Sequence, residues 1–259
     1  LYIGAQFLFR TRDHGVTWQR ISPDLTTNNP EMQKQEESGG ITVDNSAAEM
    51  HTTIFSISES PKNAGVIWVG TDDGNVQLTR DSGKSWKNVV GNIGASHDNW
   101  TNSVEASRYD AATAFVAFDR HTFGDMGTYV YRTRDYGQTW TALITPQTPG
   151  VRGYAHVVKE DPKNSNILYV GTEFGLYVSI DGGANWAQFH PNNFPSVAVR
   201  DIAFQTRDDA LVLGTHGRGI WIVDGISPLR SLSASMLDAE AALIPSAPIQ
   251  QRIQGNGGW

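Results

Sequence analysis

Short apolar runs recur along the chain, and several end in Gly-Thr, as in Ile67-Trp68-Val69-Gly70-Thr71 and Ile167-Leu168-Tyr169-Val170-Gly171-Thr172. A brief polar turn follows each, then a second run, Val76-Gln77-Leu78 or Leu176-Tyr177-Val178. A further run precedes them: Thr53-Ile54-Phe55-Ser56-Ile57, Tyr154-Ala155-His156-Val157-Val158 and Val199-Arg200-Asp201-Ile202-Ala203-Phe204. Runs of this length, rich in β-branched and aromatic residues and bounded by turn residues, predict strands.

Between the third and fourth strands of each unit the chain repeats one turn. Its copies are Thr11-Arg12-Asp13-His14-Gly15-Val16-Thr17-Trp18, Thr79-Arg80-Asp81-Ser82-Gly83-Lys84-Ser85-Trp86, Thr133-Arg134-Asp135-Tyr136-Gly137-Gln138-Thr139-Trp140 and Ser179-Ile180-Asp181-Gly182-Gly183-Ala184-Asn185-Trp186. An Asp can accept hydrogen bonds from downstream backbone N–H groups, and Gly adopts φ > 0 without steric cost. The Trp opens the returning strand and is expected to bury its ring under the turn. Asp13, Asp81, Asp135 and Asp181 are therefore read as structural turn caps, not catalytic groups.

The unit has four antiparallel strands, the blade of a propeller. The Asp positions lie 68, 54 and 46 residues apart, against about 40–50 for a blade, so the first two intervals carry insertions. One is a Pro-, Asn- and Glu-rich loop near 22–50, and the other spans 119–127. A fifth unit, about 197–230, keeps its strands but lacks the repeated turn. The expected architecture is all-β, with about five blades at 1–230, the first incomplete. Residues 231–259 are read as a short helix, over 231–243, and a tail or linker. Five blades starting inside a repeat read as part of a larger ring, whose open flanks need further upstream blades or another chain to cover them.

The signature S/T-x-D-x-G-x-x-W resembles the Asp-box, or BNR repeat, of sialidases, sortilin-type receptors and two-propeller xyloglucanases. It is most similar to that of bacterial proteins labelled BNR-repeat glycosyl hydrolases. Val69-Gly70-Thr71-Asp72-Asp73-Gly74, Gly171-Thr172-Glu173-Phe174-Gly175-Leu176-Tyr177 and Thr215-His216-Gly217-Arg218-Gly219-Ile220-Trp221-Ile222-Val223-Asp224 carry the likeness. It covers roughly residues 1–230. The resemblance implies a β-propeller and an exported bacterial protein, extracellular or periplasmic. It leaves activity open, because function belongs to sites and not to folds.

Composition narrows the partners. A net charge of −7 and a pI near 5.4 disfavour nucleic acid and anionic membranes, which call for a basic surface. No apolar run reaches the roughly 18 residues of a membrane-spanning helix. With no Cys, disulfides, zinc–thiolate sites and thiol nucleophiles are excluded.

Strands alternate in direction, so the turns after Gly-Thr leave the sheets opposite the repeated turns. A ligand is expected on that face, near the axis. Its turns offer Asp72, Asp73, Glu173, Phe174, His216 and Arg218. The 119–127 insertion adds Asp119, Arg120, His121 and Asp125, and the connections between blades add Glu49, His51, His97, Asp98 and Trp100. Asp72 or Asp73 with Glu173 is the candidate carboxylate pair of a glycosidase, and Trp100 can stack on a sugar ring. In the resembling two-propeller xyloglucanases the catalytic acids come from different propellers, which puts at most half of such a site here. His121 and His216 lack metal-site spacing, and neither metal nor cofactor is expected. Arg120, Arg200 and Arg218 match a sialidase arginine cluster only in number, and the Arg-Ile-Pro segment of that family is absent. The leading expectation is a module that binds carbohydrate or peptide. A glycoside hydrolase acting on a polysaccharide is the alternative.

Overall fold

The computed structural model describes residues 1–37, 51–94, 100–190 and 194–245. Five antiparallel sheets follow one another along the chain. The first contains β1 (Tyr2–Gly4), β2 (Leu8–Arg10) and β3 (Gln19–Arg20), and the second β4 (Ile54–Glu59), β5 (Ile67–Thr71), β6 (Val76–Thr79) and β7 (Lys87–Asn88). The third has β8 (Trp100–Ala106), β9 (Ala114–Arg120), β10 (Asp125–Thr133) and β11 (Thr141–Ile144). The fourth has β12 (Ala155–Glu160), β13 (Leu168–Thr172), β14 (Gly175–Ser179) and β15 (Ala187–Phe189), and the fifth β16 (Val199–Gln205), β17 (Ala210–Thr215) and β18 (Ile220–Val223). Strands within each sheet pair in chain order, the meander expected of a propeller blade.

The sheets stack flank to flank in sequence order, and β1, β4, β8, β12 and β16 meet in succession. β13 and β14 are buried at every position, and Trp68, Tyr169 and Tyr177 are completely covered. Clusters of aliphatic and aromatic side chains fill the spaces between neighbouring sheets, each fully buried large side chain contributing about 1.5–3 kcal/mol. The glycine of Gly-Thr allows this approach. A β-carbon on Gly70 would stand 2.9 Å from Thr101 Cβ, and one on Gly171 2.9 Å from Val199 Cγ1.

The first strands lie at sheet edges, where backbone N–H groups lack ladder partners. Serine hydroxyls of the preceding sheet accept several of them. Val104 N donates to Ser56 Oγ at 2.8 Å, Ala106 N to Ser58 Oγ at 2.9 Å and Val158 N to Ser103 Oγ at 3.3 Å.

The repeated turns close as hydrogen-bonded units. Asp13 Oδ1 accepts from Thr17 N at 2.9 Å, Asp81 Oδ1 from Ser85 N, Asp135 Oδ1 from Thr139 N and Asp181 Oδ1 from Asn185 N, all at 2.9 Å. The hydroxyl two residues earlier donates to the same carboxylate oxygen and accepts from the turn glycine N–H. Hydrogen bonds from Thr11 and Thr17 hold the Asp13 carboxyl well below the usual carboxylate range. The glycine is not alone at positive φ, for the preceding residue takes it too: His14 at 58°, Ser82 at 63°, Tyr136 at 59° and Gly182 at 73°.

Three expectations change. The turn Trp reaches the preceding sheet as well as its own turn, where Trp186 Nε1 donates to Gly183 O at 3.2 Å and the Trp18 ring lies against Gly15. Trp86 Nε1 donates to Ile21 O at 2.9 Å and Trp186 Nε1 to Leu143 O at 3.2 Å, while Trp140 meets Trp68 edge-on. Trp18 belongs to the first sheet and is 43% exposed. The 119–127 insertion is mostly hairpin, because β9 runs to Arg120, β10 starts at Asp125, and only the 3-10 turn His121–Phe123 and its cap Gly124 intervene. The C-terminal helix starts earlier than 231, as α1 (Ser227–Ser231) with Pro228 in its first turn, and α2 (Ala234–Leu237) follows.

Candidate functional site

Turns after the second strand of each sheet, opposite the repeated turns, carry Asp72, Asp73, His121, Glu173, Phe174, His216 and Arg218. A cavity of about 610 Å³ opens here against the second and third sheets. Asp72, Asp73 and His51 line one side, and Trp100, Thr122 and Phe123 another. Thr27, Asn29 and Met32 complete it from the first insertion.

That insertion is folded onto the site through Asp73, whose Oδ2 accepts from Thr27 N at 2.6 Å and Thr27 Oγ1 at 2.7 Å. Asn75 Nδ2 and Gln77 Nε2 both donate to Leu25 O at 2.9 Å. Asp72 is 4% exposed and accepts from Thr53 N at 2.7 Å and Thr53 Oγ1 at 3.0 Å. Burial pushes its carboxyl pKa up, and the Thr53 hydrogen bonds only partly offset this.

Rings continue from the cavity towards the fourth sheet. Phe55 lies 5.7 Å from Trp100, Trp100 6.4 Å from His121, and His121 stacks on Tyr154 at 4.5 Å and 16°. His121 Nδ1 is 2.7 and 2.8 Å from the two oxygens of Asp119, a carboxylate 3% exposed. A carboxylate only accepts, so Nδ1 carries a proton directed at Asp119. Asn102 Nδ2 donates both to Asp119 Oδ2 at 3.3 Å and to Ala155 O at 3.1 Å, tying the pair to the next sheet.

Glu173 lies elsewhere. Its Oε2 is 2.9 Å from His156 Nε2 and 3.8 Å from Arg200 Nη2. Arg200 Nη1 approaches His156 Nδ1 at 3.3 Å, and because a guanidinium only donates, Nδ1 accepts and Nε2–H points to Glu173. Burial holds the His156 pKa below its ordinary value, so the ring is neutral. For Glu173 burial acts upward, but hydrogen bonds from His156 and Tyr154 outweigh it and leave the pKa below the usual range.

The structure thus brings Asp72, Asp73 and Trp100 to one cavity, with His121 and Asp119 beside it. Glu173 does not line that cavity, and the third sheet stands between its sheet and that of Asp72 and Asp73. Phe174 is 44% exposed, with its ring against Gly153. His216 and Arg218 are exposed on the β17–β18 turn, and Asp125 pairs with Arg120 at 3.0 Å within its own hairpin. Glu49, His97 and Asp98 fall outside the described residues. No group of three or more His, Asp or Glu arranged to hold a metal occurs among the described residues. Sequence reasoning missed Tyr154 and His156 because one precedes and the other sits in β12, a strand whose apolar run reads as core. It missed Thr27 and Met32 because nothing local says where their loop lands.

No protein-family model matches the chain. The chain is 31% identical over 141 residues to a xyloglucanase of Hypocrea jecorina, covering 49% of the chain and 16% of that protein. It is 29% identical over 174 residues to a xyloglucanase of Paenibacillus sp., covering 60% of the chain and again 16% of the relative. Against vacuolar protein sorting/targeting protein 10 of Laccaria bicolor it is 32% identical over 107 residues, covering 41% and 6%. The chain therefore matches only a small part of these relatives' length. Among solved structures, an ancestral GH74 enzyme superposes with a TM-score of 0.57 at 18% identity, covering 82% of this chain and 25% of that one. The GH74 xyloglucanase from Xanthomonas campestris gives 0.57 at 14% identity, covering 88% and 36%. Likeness at this level shows the fold, and the chain is a run of β-propeller blades.

Proposed function

We propose that the chain is a saccharide-binding propeller module whose site is the cavity between the second and third sheets. The observation that carries this reading is an apolar platform, Trp100 with Phe123 and Met32, facing the carboxyls of Asp72 and Asp73. Sugar rings present apolar faces and hydroxyl rims, and such a cavity offers stacking for one and acceptors for the other. The His121 ring, held by Asp119, packs edge-on against Trp100 and extends the aromatic surface. The xyloglucanase names of several relatives support a polysaccharide ligand, and the repeated turns support assignment to Asp-box proteins, hence to an exported bacterial protein.

One observation favours a hydrolytic reading as second choice. Asp72 is a buried carboxyl with a raised pKa inside a cavity, the state a general acid needs. Both its oxygens are engaged by Thr53 and Glu173 stands apart, so binding is preferred. The test titrates xyloglucan and unbranched β-glucan oligosaccharides into the chain by calorimetry while reducing-sugar release is followed. Binding lost in Trp100→Ala, without sugar release, supports the module. Release abolished by Asp72→Asn would replace it with the hydrolase, and binding of peptides but no saccharide would sink both.

A further inference from the structure

The contacts between sheets obey a second regularity, on the side of the repeated turns. The residue three places after each turn Trp forms a floor on which the next sheet's turn lands. Ile21 follows Trp18, and it receives Gly83 and the indole N–H of Trp86. Val89 follows Trp86, and a β-carbon on Gly137 would stand 2.8 Å from its Cβ, with Trp140 packed in the same cluster. Leu143 follows Trp140, and it receives Gly183 and Trp186.

Phe189 is the fourth such residue, three after Trp186, and among the described residues no turn lands on it, because there the fifth sheet has neither the repeated turn nor a fourth strand. In place of an indole there is a cavity of about 470 Å³. Phe189, Val178, Ile180 and Trp186 line it from the fourth sheet, and Leu229 and Leu237 close it from α1 and α2. The helical wall is fixed, since Arg230 binds Asp161 at 2.8 and 2.9 Å and also reaches Asp209. Beside it, β18 pairs only with β17 among the described residues, and Ile220 and Ile222 are 74% and 63% exposed. In the second, third and fourth sheets the corresponding third strand is covered by a fourth, in registers such as Leu78 opposite Lys87 and Val178 opposite Ala187.

We infer that β18 and this cavity form a docking site for an extended segment of another polypeptide. The segment pairs antiparallel to β18 as a fourth strand and seats a tryptophan on Phe189. Strand addition supplies main-chain hydrogen bonds to an open edge, and the pocket supplies the side-chain specificity. The occupant's chemistry follows from the three internal seats, each filled by a Trp that opens a fourth strand. The site lies at the opposite end of the sheets from the saccharide cavity and does not depend on that reading.

The probe is a capped peptide of residues 137–145, the chain's own turn glycine, Trp and fourth strand from the third sheet. It is titrated into the 259-residue chain by calorimetry, with amide exchange read by mass spectrometry. Saturable binding is expected, with exchange slowed over 220–223. Replacing the peptide's Trp by Ala, or Leu237→Asp in the chain, should weaken it at least about tenfold, as loss of an aromatic anchor does. Leu237 is 63% exposed, so the fold tolerates that change. Absence of binding, indifference to both substitutions, or protection on another sheet would overturn the assignment. A self-associated chain that Leu237→Asp converts to monomer would overturn it too, by naming a second copy as the occupant.

Discussion

Gly137 lies against Val89 so closely that a β-carbon on the glycine would stand 2.8 Å from Val89 Cβ. Its φ is 77°, so two separate constraints meet at one residue. Gly124, with φ of 76° and nothing within 4 Å of such a carbon, carries only the first. Gly124→Ala should cost about 1–2 kcal/mol for the left-handed backbone. Gly137→Ala should cost about 1–3 kcal/mol more for the crowded contact. Urea denaturation of both variants measures the difference, and equal losses would mean that the two sheets yield freely there.

The Asp135 carboxylate is spent on its own turn, accepting from Thr139 N, Thr139 Oγ1 and Thr133 Oγ1. Asp135→Ala is expected to lower the melting temperature while leaving saccharide affinity unchanged. Lost binding at an unaltered melting temperature would contradict the capping role.

Arg230 is 13% exposed at its side chain and pairs with Asp161, whose side chain is 0% exposed. Arg230→Met strands a buried carboxylate and should destabilise by about 3–5 kcal/mol. Adding Asp161→Asn should restore part of the loss. Chemical denaturation of wild type and the single and double variants reads both effects.

His156 gives stability a dependence on pH. Burial depresses its pKa in the folded chain below the 6.5 of an unperturbed imidazole, so the unfolded chain takes up the proton first. Stability is then fully present above about pH 6.5 and falls as acid is added towards the lower folded value. His156→Gln should flatten the melting temperature profile over that window. A slope unchanged by the substitution would remove His156 as its source.

How much of this was legible in the sequence depends on the range of each interaction. The repeated turns were readable because the bonds that cap them, among Thr133, Asp135, Gly137 and Thr139, fall within seven residues. Strand order followed from the same repeat. The further reach of Trp86 and Trp186 to the preceding sheet was not legible, because it is set by the neighbouring sheet, which local spacing does not encode. Trp100 and Asp72 were legible as turn residues on one face. Met32 and Thr27 join them through long-range bonds such as that of Thr27 to Asp73, spanning 46 positions. Glu173 looked equivalent to Asp72 by its place in the repeat, yet its neighbours are His156 and Arg200, which nothing in that repeat announces.

Hydroxyls between first strands have a consequence for how the chain comes apart. Ser56 and Ser58 each hold an amide of β8, and Ser103 passes the arrangement on to β12. Every link joins nearest neighbours, so the blades form a one-dimensional array in which opening spreads inward from the ends. The third sheet, clamped by hydroxyls on both sides, should be the last to open. The Val104, Ala106 and Val158 amides, although on edge strands, should then be among the slowest to exchange with solvent.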